Sequence, residues 1–471
     1  MSVTGETVGP SQAVPDLRFP TLGEAFWTWV RIALLSFGGP AGQIAVMHRI
    51  LVVEKRWISE TRFLHALNYC MLLPGPEAQQ LAVYVGWLMH RIRGGIVSGT
   101  LFILPGLVSL GALSIIYAAY RQIGIVAAIF FGLKSAVLAI VLEAVIRIGR
   151  RALKSPAHIV IAALAFLGIF AFGLPFPFII LAAGLIGYAG QRFGSRWFEA
   201  GGGHEPGNAH LDTPGLIDIA LAQGMPDYIR PSWQRFAKIA VIGGLLWLAP
   251  LLVATLYGPS GKIYADIAGF NAKMAVVTFG GAYAVLAYMA QQAVEYYHWL
   301  KPGEMLVGLG FAETTPGPLI SVVQYVGFMA AFRHAGPLLP IVAGTTGGLV
   351  AEWSTFVPSF LWIFLGGPYV EALIGNKALN ATLSAITGAV VGVILNLAVW
   401  FAMHSLFGQV RDIRSFGLSL GVPVWDSINL PALAIMLAAM VAIFRFKMGM
   451  VSVLLASCLT GIAFYAFNIG A

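Results

Sequence analysis

The 471-residue sequence has few charged residues: Asp, Glu, Lys and Arg make up only 10% of the chain, whereas hydrophobic residues make up 58%. A soluble globular protein carries about 25% charged residues. With so few charges, a soluble fold could not cover its surface. The mean hydropathy of +0.82 indicates instead that lipid solvates much of the molecule. The composition therefore excludes an ordinary soluble domain and predicts a polytopic membrane protein.

Cysteine and metal-ligand patterns are also scarce. The two cysteines, Cys70 and Cys458, exclude a disulfide framework. The nine histidines show no spacing that is typical of a metal site, so we expect neither a metal nor another cofactor. The net charge of +8 does not indicate nucleic-acid binding, because the basic residues lie in short loops between apolar segments. Residues 1–20 lack a basic region followed by an apolar core, which favours a cytoplasmic tail over a cleaved signal.

Long apolar segments follow one another along most of the chain. Between 94 and 146 two spans are expected to meet near Arg121. Further segments are expected at 157–173, 176–191, 236–257, 337–366, 378–405, 430–444 and 448–468. The sequence thus divides into a tail (1–20), a first repeat (21–195), a hydrophilic linker (196–235), an extra transmembrane helix (236–262) and a second repeat (263–471).

An internal repeat is the most informative feature. Three motifs recur in order at one offset of 242 residues: Phe37-Gly38-Gly39 as Phe279-Gly280-Gly281, Trp57 as Trp299, and Pro74-Gly75-Pro76 as Pro316-Gly317-Pro318. After an insertion in the second half, Pro105 matches Pro358 at an offset of 253. Short Gly/Pro motifs arise by chance, but so many in the same order do not. The chain therefore consists of two homologous halves.

The charges of matched loops predict that the halves face opposite ways. The loop at 55–62 is basic, whereas Lys301 is the only Lys or Arg in the matching stretch at 291–304. Basic loops stay in the cytoplasm, so we expect the first loop to be cytoplasmic and the second periplasmic. The segment at 236–262 supplies the odd crossing that inversion needs. We therefore expect an all-α inverted repeat, in which broken helices meet at a substrate site near the membrane midplane.

The PGP and FGG motifs predict those breaks. Basic clusters lie roughly 13–15 residues on either side of Pro74-Gly75-Pro76, which is about 20 Å of helix. Such an arm is too short for a membrane core of about 30 Å. The spacing predicts a re-entrant hairpin whose tip offers free amide N–H groups to an anion. Phe37-Gly38-Gly39 predicts a second break. The alternative is that both motifs are packing kinks.

Lys134 is the strongest single candidate for a functional side chain. It lies 13 residues from both Arg121 and Arg147, which places it near the middle of a span. An ammonium group there costs at least about 3 kcal/mol and requires a partner or a cavity. Lys134 could therefore face an anion path. The alternative is an ion pair with Glu352, which also lies in mid-span.

Three further positions leave alternatives open. Glu77 follows the first PGP motif and either stabilises the helix start, carries a coupling proton or repels the wrong anion. Arg31 either faces a pore or pairs with Glu24. Gly95 and Gly99 form a small-xxx-small pair that is typical of helix packing, and Gly95→Ala is expected to be nearly silent.

At these residues the sequence resembles the chromate ion transporter family, in its long two-domain form. The first half carries Ser36-Phe37-Gly38-Gly39-Pro40-Ala41-Gly42-Gln43-Ile44-Ala45, Arg56-Trp57-Ile58-Ser59, Phe63-Leu64-His65-Ala66-Leu67 and Leu73-Pro74-Gly75-Pro76-Glu77-Ala78-Gln79-Gln80-Leu81. The second half keeps the shorter forms Thr278-Phe279-Gly280-Gly281 and Thr315-Pro316-Gly317-Pro318. The resemblance implies chromate efflux across the bacterial inner membrane. Sulfate is a chemically similar dianion. Whether the protein forms a homodimer is left open.

The candidate substrate-binding residues are Phe37, Gly38, Gly39, Pro74, Gly75, Pro76, Glu77, Gln79, Lys134, Gly280, Gly281, Thr315, Pro316 and Gly317, with Glu352 and Arg31 as coupling or ion-pair residues. A dianion that leaves a cell with a negative interior gains about 4.6 kcal/mol per 100 mV, so export does not require a proton. Transport of sulfate or another tetrahedral oxyanion is an alternative. A membrane enzyme that acts on lipid or quinone is a further one, but the sequence shows no catalytic carboxylate pair or cofactor motif for it.

Overall fold

The computed structural model describes residues 19–37, 39–193, 213–224, 226–279, 282–301, 303–370, 377–415 and 418–467. In these ranges, five helices are long and apolar enough to cross a membrane: Glu77–Tyr120, Gly124–Ala152, Trp233–Leu256, Pro340–Tyr369 and Ala378–Leu406. Shorter apolar helices pack between them. The polytopic architecture predicted from composition is confirmed.

The first half contains helices α1 (Leu22–Leu35), α2 (Gly39–His48), α3 (Glu60–Leu72), α4 (Glu77–Tyr120), α5 (Gly124–Ala152), α6 (Pro156–Phe170) and α7 (Phe176–Arg192). Local sequence signals set several boundaries. Thr21 and Glu24 form a capping box at the start of α1. Ser155 caps α6, whose first residue is Pro156. The linker contributes α8 (Leu216–Ala222), and α9 (Trp233–Leu256) follows it.

The second half contains α10 (Lys262–Val277), α11 (Ala282–Gln291), α12 (Glu304–Thr314), α13 (Val322–Arg333), α14 (Pro340–Gly366), α15 (Lys377–Leu406), α16 (Leu430–Phe444) and α17 (Met450–Ala466). It repeats the first half closely. A π-helix follows the second helix of each half, at Arg49–Glu54 and Gln292–Tyr296. Helices α6 and α16 both have 15 residues, and α7 and α17 both have 17. The predicted duplication is confirmed.

Helix α4 consists of two arms that fold back on each other. The backbone leaves the helical conformation at residues 90–91. The arms then approach so closely that a Cβ on Gly86 would lie 2.6 Å from the carbonyl oxygen of Gly94. In the second half, α13 and α14 take the places of these arms, and a Cβ on Gly327 would lie 2.6 Å from the Gly347 carbonyl oxygen. Glycine is therefore required at the same place in both hairpins.

One end of the molecule, here called the linker face, holds the basic loop at 55–62 and helix α8. The amide of Ile217 in α8 donates to the Trp57 carbonyl at 3.0 Å. The Tyr228 hydroxyl, also in the linker, donates to the Leu88 carbonyl at 2.7 Å. The first arm of α4 therefore ends on the same face as the basic loop.

The matching loop of the second half, at 291–304, lies at the other end of the molecule, which is called the opposite face below. The long arm of α4, residues 92–120, extends from the linker face over about 43 Å of helix, more than a bilayer core of about 30 Å. At its far end Arg121 contacts Glu304 at 2.6 Å, and Glu304 begins α12. Matched loops thus lie at opposite ends of a spanning helix, as an inverted repeat requires.

The last two helices of each half pack on the other half. Helices α6 and α7 lie along α15, whereas α16 and α17 lie along α5. Glycines bring these helices close: a Cβ on Gly187 of α7 would lie 2.6 Å from the Ala381 carbonyl oxygen, and one on Gly132 of α5 would collide with the Ser457 carbonyl. The halves are therefore interlocked rather than placed side by side.

The all-α expectation misses one element. Strands β1 (Val410–Ser415) and β2 (Leu418–Pro423) form a two-stranded antiparallel sheet between α15 and α16. The sheet connects two helices outside the apolar segments, where strand pairing meets no membrane constraint. Helix α8 likewise lies within the stretch that the sequence predicted to be only a hydrophilic linker.

Candidate functional site

Each PGP motif lies at the tip of a helical hairpin. The first tip joins α3, which has 13 residues, to the arm at 77–89, and each of these is about 20 Å long. The second tip joins α12 to α13. The open end of this second hairpin is held together because Arg333 donates to the Trp299 carbonyl at 2.5 Å and to Glu304 at 2.7 Å. That these hairpins are re-entrant in a bilayer stays a prediction.

The tip of each half binds the helix break of the other half. The amide of Gly75 donates to the Thr278 carbonyl at 2.8 Å, and the amide of Gly317 donates to the Ser36 carbonyl at 2.9 Å. Gly75 matches Gly317 in the repeat, and Ser36 matches Thr278. The two hydrogen bonds are therefore a symmetric pair, and the region around them is called the tip crossing below.

Both tips require glycine. Gly75 has φ of +129° and Gly317 has φ of +121°, a region that residues with a side chain rarely adopt. A Cβ on Gly75 would lie 2.9 Å from the Ser359 hydroxyl oxygen. A Cβ on Gly317 would lie 3.1 Å from the Cα of Gly106. Side chains at these two positions would therefore disturb the tip crossing by their bulk.

The crossing also changes which amides could bind an anion. The sequence predicted free N–H groups at the start of the returning arm, after Pro76. The N–H groups of the tip glycines Gly75 and Gly317 are bonded across the crossing and are not among these donors. The first turn of α4 offers further donors, because Pro76 precedes it and provides no side-chain cap. The first-turn residues Ala78 and Gln79 are buried, with exposed fractions of 3% and 0%. The amides available to a ligand thus lie one turn beyond the glycines.

Buried polar side chains without partners lie beside the tip crossing. Within the described ranges, both polar atoms of Gln79 and the hydroxyl of Ser359 have no hydrogen-bond partner. The Ser321 hydroxyl and the Glu352 carboxylate face each other and have no other partner in those ranges. Ser359 lies against Gly75. Each such orphan group costs about 1–3 kcal/mol. A polar ligand or water at the crossing would remove that cost.

The remaining motif residues flank the crossing. Phe37 precedes α2 and is 40% exposed, and Gly39 begins α2 with φ of +73°. The Thr315 hydroxyl, directly after α12, donates to the Phe311 carbonyl at 2.9 Å. Gly38, Gly280 and Gly281 lie outside the described residues.

Lys134 lies in a different place, a cavity of about 530 Å³ that reaches the opposite face. Its ammonium nitrogen is 5.4 Å from the centre of the Phe131 ring. In the part of the chain that the structure describes, neither Lys134 nor Glu352 has an ion-pair partner. The alternative of a Lys134–Glu352 pair is therefore not realised.

Arg31 and Glu77 also receive definite environments. Arg31 pairs with Glu54 at 2.7 Å, and half of its side chain is exposed. It does not pair with Glu24, which is used in the capping box of α1. Glu77 lies in the first turn of α4 and has no ion pair among the described residues. The second half has Leu319 at that position, so the two tips differ in charge.

Gly95 lies in a helix contact, but its environment does not fit a silent alanine substitution. A Cβ there would lie 2.7 Å from a ring carbon of Phe364 and 3.1 Å from the Val83 carbonyl oxygen. A real Cβ needs more room than this, so the aromatic ring would have to move.

The sequence analysis missed two buried carboxylates. Glu313 is 3% exposed and accepts a hydrogen bond from the Tyr283 hydroxyl at 2.5 Å. Glu304 is 7% exposed and binds two arginines. An acid at a helix start such as Glu304 is ordinary in sequence. The sequence signal that could have identified Glu304 is its matched position in the first half, which is a basic residue, Arg62.

Comparisons with known proteins agree with this architecture. The chromate transporter family matches residues 23–188 and 265–462. A chromate transport protein of Pseudomonas aeruginosa is 32% identical over 98% of this chain and 98% of its own. A chromate transport protein of Cupriavidus metallidurans is 26% identical over 82% of this chain and 84% of its own. A probable chromate transport protein of Synechococcus elongatus is 24% identical over 83% of this chain and 86% of its own. No solved structure matches the chain.

The family match includes both halves, and with them both PGP motifs and both helix breaks that form the tip crossing. The chain belongs to the chromate transporter family.

Proposed function

We propose that the protein exports chromate, or a closely similar tetrahedral dianion, across the inner membrane of a bacterial cell. The observation that carries this proposal is the tip crossing, because it joins two inverted hairpins through one symmetric pair of backbone hydrogen bonds. Inverted repeats that meet at broken helices bind substrate at the meeting point and expose it to either side in turn. The names of the relatives favour chromate as the substrate.

The polar groups at the crossing match the chemistry of such an ion. A fully ionised tetrahedral oxyanion accepts hydrogen bonds and donates none. The first-turn amides of Ala78 and Gln79, the amide group of Gln79 and the hydroxyls of Ser321 and Ser359 are donors of the required kind. In this proposal the bound dianion satisfies donors that are otherwise buried without partners.

Glu352 has a different role in the proposal. An ionised carboxylate next to a dianion repels it, whereas a protonated carboxyl group donates a hydrogen bond. We assign Glu352 as the residue whose protonation accompanies anion binding. The membrane potential alone supplies about 4.6 kcal/mol per 100 mV for a departing dianion. Protonation of Glu352 would therefore tune occupancy of the site rather than provide the driving force.

The direction of transport depends on topology. We propose that the linker face is cytoplasmic, together with the N-terminus, because the loop at 55–62 is basic. Single cysteines at Lys55 and at Lys301, in a background without Cys70 and Cys458, should react differently with an impermeant maleimide added to whole cells. Only the cysteine at position 301 should be labelled. Equal labelling of both positions would contradict the inverted orientation.

Flux measurements on purified protein in liposomes test the function directly. With a membrane potential imposed by potassium and valinomycin, chromate should move toward the positive side. Gly75→Val should lose this flux while remaining inserted, because the side chain would displace Ser359. Absence of chromate flux above that of protein-free liposomes would refute the proposal. Sulfate flux that exceeds chromate flux under the same potential would favour the alternative substrate.

A further inference from the structure

A cluster of charges lines the Lys134 cavity where it reaches the opposite face. Glu304 is at its centre. Its carboxylate accepts hydrogen bonds from Arg121 at 2.6 Å, from Arg333 at 2.7 and 2.8 Å, and from the Tyr117 hydroxyl at 3.2 Å. Its side chain is 8% exposed. One buried carboxylate is thus shared by two arginines that come from different halves of the chain.

The cluster has more positive than negative charge. Arg121, Lys134 and Glu304 line the cavity, and Arg333 pairs with Glu304 without lining it. Together the three cations contribute three positive charges and Glu304 contributes one negative charge. The net charge of +2 equals the charge of a tetrahedral dianion with the opposite sign. Lys134 has no counter-ion among the residues that the structure describes. An unpaired ammonium group inside a membrane helix normally faces a ligand or water.

The walls of the cavity strengthen the attraction of an anion. They include the aromatic residues Tyr117, Phe130, Phe131, Phe464 and Tyr465. Coulomb interactions are stronger beside such side chains than in bulk water, because the local dielectric constant is lower. The volume of about 530 Å³ also exceeds the share of one water molecule, about 30 Å³, many times over. An oxyanion fits there together with part of its hydration shell.

The two arginines are not held equally. Arg333 makes two hydrogen bonds to Glu304 and one to the Trp299 carbonyl, whereas Arg121 makes one bond to Glu304. Arg121 also lies over the Tyr117 ring, with its guanidinium carbon 5.8 Å from the ring centre. Because Arg333 makes the two hydrogen bonds that neutralise Glu304, Arg121 is the arginine that an anion in the cavity would attract.

We propose that the Lys134 cavity is a second dianion site on the transport path. Lys134 and Arg121 bind the ion there, and Arg121 forms its ion pair with Glu304 again when the ion departs. The proposal rests on the proposed function and adds a site on the opposite face, apart from the tip crossing. The linker face has no equivalent site: Thr387 stands at the position that matches Lys134, and Arg62, which matches Glu304, pairs with Asp218. The site therefore belongs to one face only.

Equilibrium binding of radiolabelled chromate to the purified full chain tests this site. In the Gly75→Val background, in which the tip crossing is disturbed, Lys134→Gln should weaken binding about tenfold or more, because it removes a charged partner of the anion. Lys134→Arg should retain binding, which separates loss of the charge from loss of the fold. Lys262→Gln is the matched control, because Lys262 is an exposed residue that begins α10 on the same face, outside the cavity. In the same background it should bind chromate as the Gly75→Val protein does.

The outcomes separate this site from the proposed function. If the unchanged protein transports chromate but Lys134→Gln in the Gly75→Val background binds it with unchanged affinity, the second site is refuted and the transport function stands. If Lys134 is required for binding but no flux occurs in liposomes, the transport function fails and the anion site remains. Gly75→Val should abolish flux and still bind chromate through Lys134.

A lipid headgroup carries phosphate chemistry similar to that of the free ion, and the binding assay distinguishes the two sources. In nanodiscs of phosphatidylcholine and in nanodiscs of phosphatidylglycerol, the dissociation constant for chromate should agree within about twofold at equal ionic strength. Loss of chromate binding only in phosphatidylglycerol would identify the headgroup as the occupant and overturn the assignment to the transported ion.

Discussion

The two halves share the backbone arrangement of the tip crossing but differ in the side chains around it. At matched positions around the hairpins, Met71, Gln79, Gly99 and Arg62 of the first half correspond to Glu313, Ser321, Glu352 and Glu304 of the second. Yet both tips make the same hydrogen bond across the crossing, from a tip glycine to the carbonyl before a helix break. The symmetric part of the molecule is thus made by backbone, and the asymmetric part by ionisable side chains.

This division has a physical reason. In an inverted-repeat transporter, the inward-open and outward-open states exchange the roles of the two halves, so the two states need similar free energies. Backbone hydrogen bonds that recur in both halves give the two states equivalent contacts. Transport in one direction, and its regulation, require the two halves to differ. Buried carboxylates in the second half and Lys134 in the first half supply such differences without changing the path of the chain.

The largest expected effect is at the tips, where the two glycines have different neighbours. A Cβ on Gly317 would meet the backbone of Gly106, which cannot move away without shifting α4. A Cβ on Gly75 would meet the side chains of Gln80 and Ser359 instead. We expect Gly317→Ala to abolish chromate flux in liposomes and Gly75→Ala to reduce it about tenfold.

A second substitution sharpens this comparison. Ser359 matches Gly106 in the repeat, so Ser359→Gly gives the first tip the neighbour that the second tip already has. Gly75→Ala combined with Ser359→Gly should recover part of the flux that Gly75→Ala alone loses. Recovery to the level of the unchanged protein is not expected, because the positive φ at residue 75 still costs about 1–2 kcal/mol for alanine. Equal flux in Gly317→Ala and the unchanged protein would show that the crossing is not needed.

An intermediate effect, on the free energy of unfolding, is expected at the carboxylates that form ion pairs at the hairpins. Glu304→Gln leaves Arg121 and Arg333 without a counter-ion in a site that is 8% exposed, which should cost about 3 kcal/mol. Asp218→Asn removes one ion pair, with Arg62, in which the carboxylate is 17% exposed and the arginine 33%. The Ser59 and Gly215 amides that donate to the carboxylate can still donate to the amide oxygen of the asparagine. Its cost should be about 1 kcal/mol. Thermal unfolding in detergent measures both, and a larger loss for Asp218→Asn would contradict this order.

Much of the architecture could be predicted from the sequence because it depends on local or repeated features. Apolar segments gave the spans, and the constant offsets gave the two halves. The depth of Lys134 followed from the rise of a helix, since 13 residues separate it from Arg121. Its surroundings could not be obtained in this way. Lys134 and Glu352 both lie in mid-span but on different helices, and Lys134 lines a cavity that Glu352 does not line.

The unpredicted features all involve residues that are far apart in the chain. The bond between Arg121 and Glu304 joins residues 183 positions apart, and the crossing joins each tip to a break in the other half. The packing of α6 and α7 on α15 is of the same kind. Motif spacing identifies the tips but does not say what their amides bind. For this reason the hydrogen bonds from the tip glycines to the opposite helix breaks could not be predicted from the sequence.

The smallest effect is expected at Gly95, which matches Gly348. Both glycines lie in the hairpin of their own half and face a close neighbour. A Cβ on Gly95 would lie 2.7 Å from the ring of Phe364, and one on Gly348 would lie 3.0 Å from the Cγ of Gln324. Gly95→Ala should therefore cost about 1–2 kcal/mol through overpacking, because the ring has to shift. Chromate flux per inserted molecule should stay within about twofold of the unchanged protein, since neither the tip crossing nor the Lys134 cavity is touched.

Phe364 provides the control for this last effect. Leucine at that position is smaller than phenylalanine and keeps the contact apolar. Gly95→Ala combined with Phe364→Leu should then be less destabilised than the sum of the two single changes, because the added methyl group occupies the space that the ring leaves. Thermal unfolding of the unchanged protein, the two single variants and the double variant gives the coupling free energy between the two changes. Additive losses together with normal flux would mean that α14 moves as a whole instead of the ring. A loss of flux in Gly95→Ala without a loss of stability would instead assign Gly95 to the transport path.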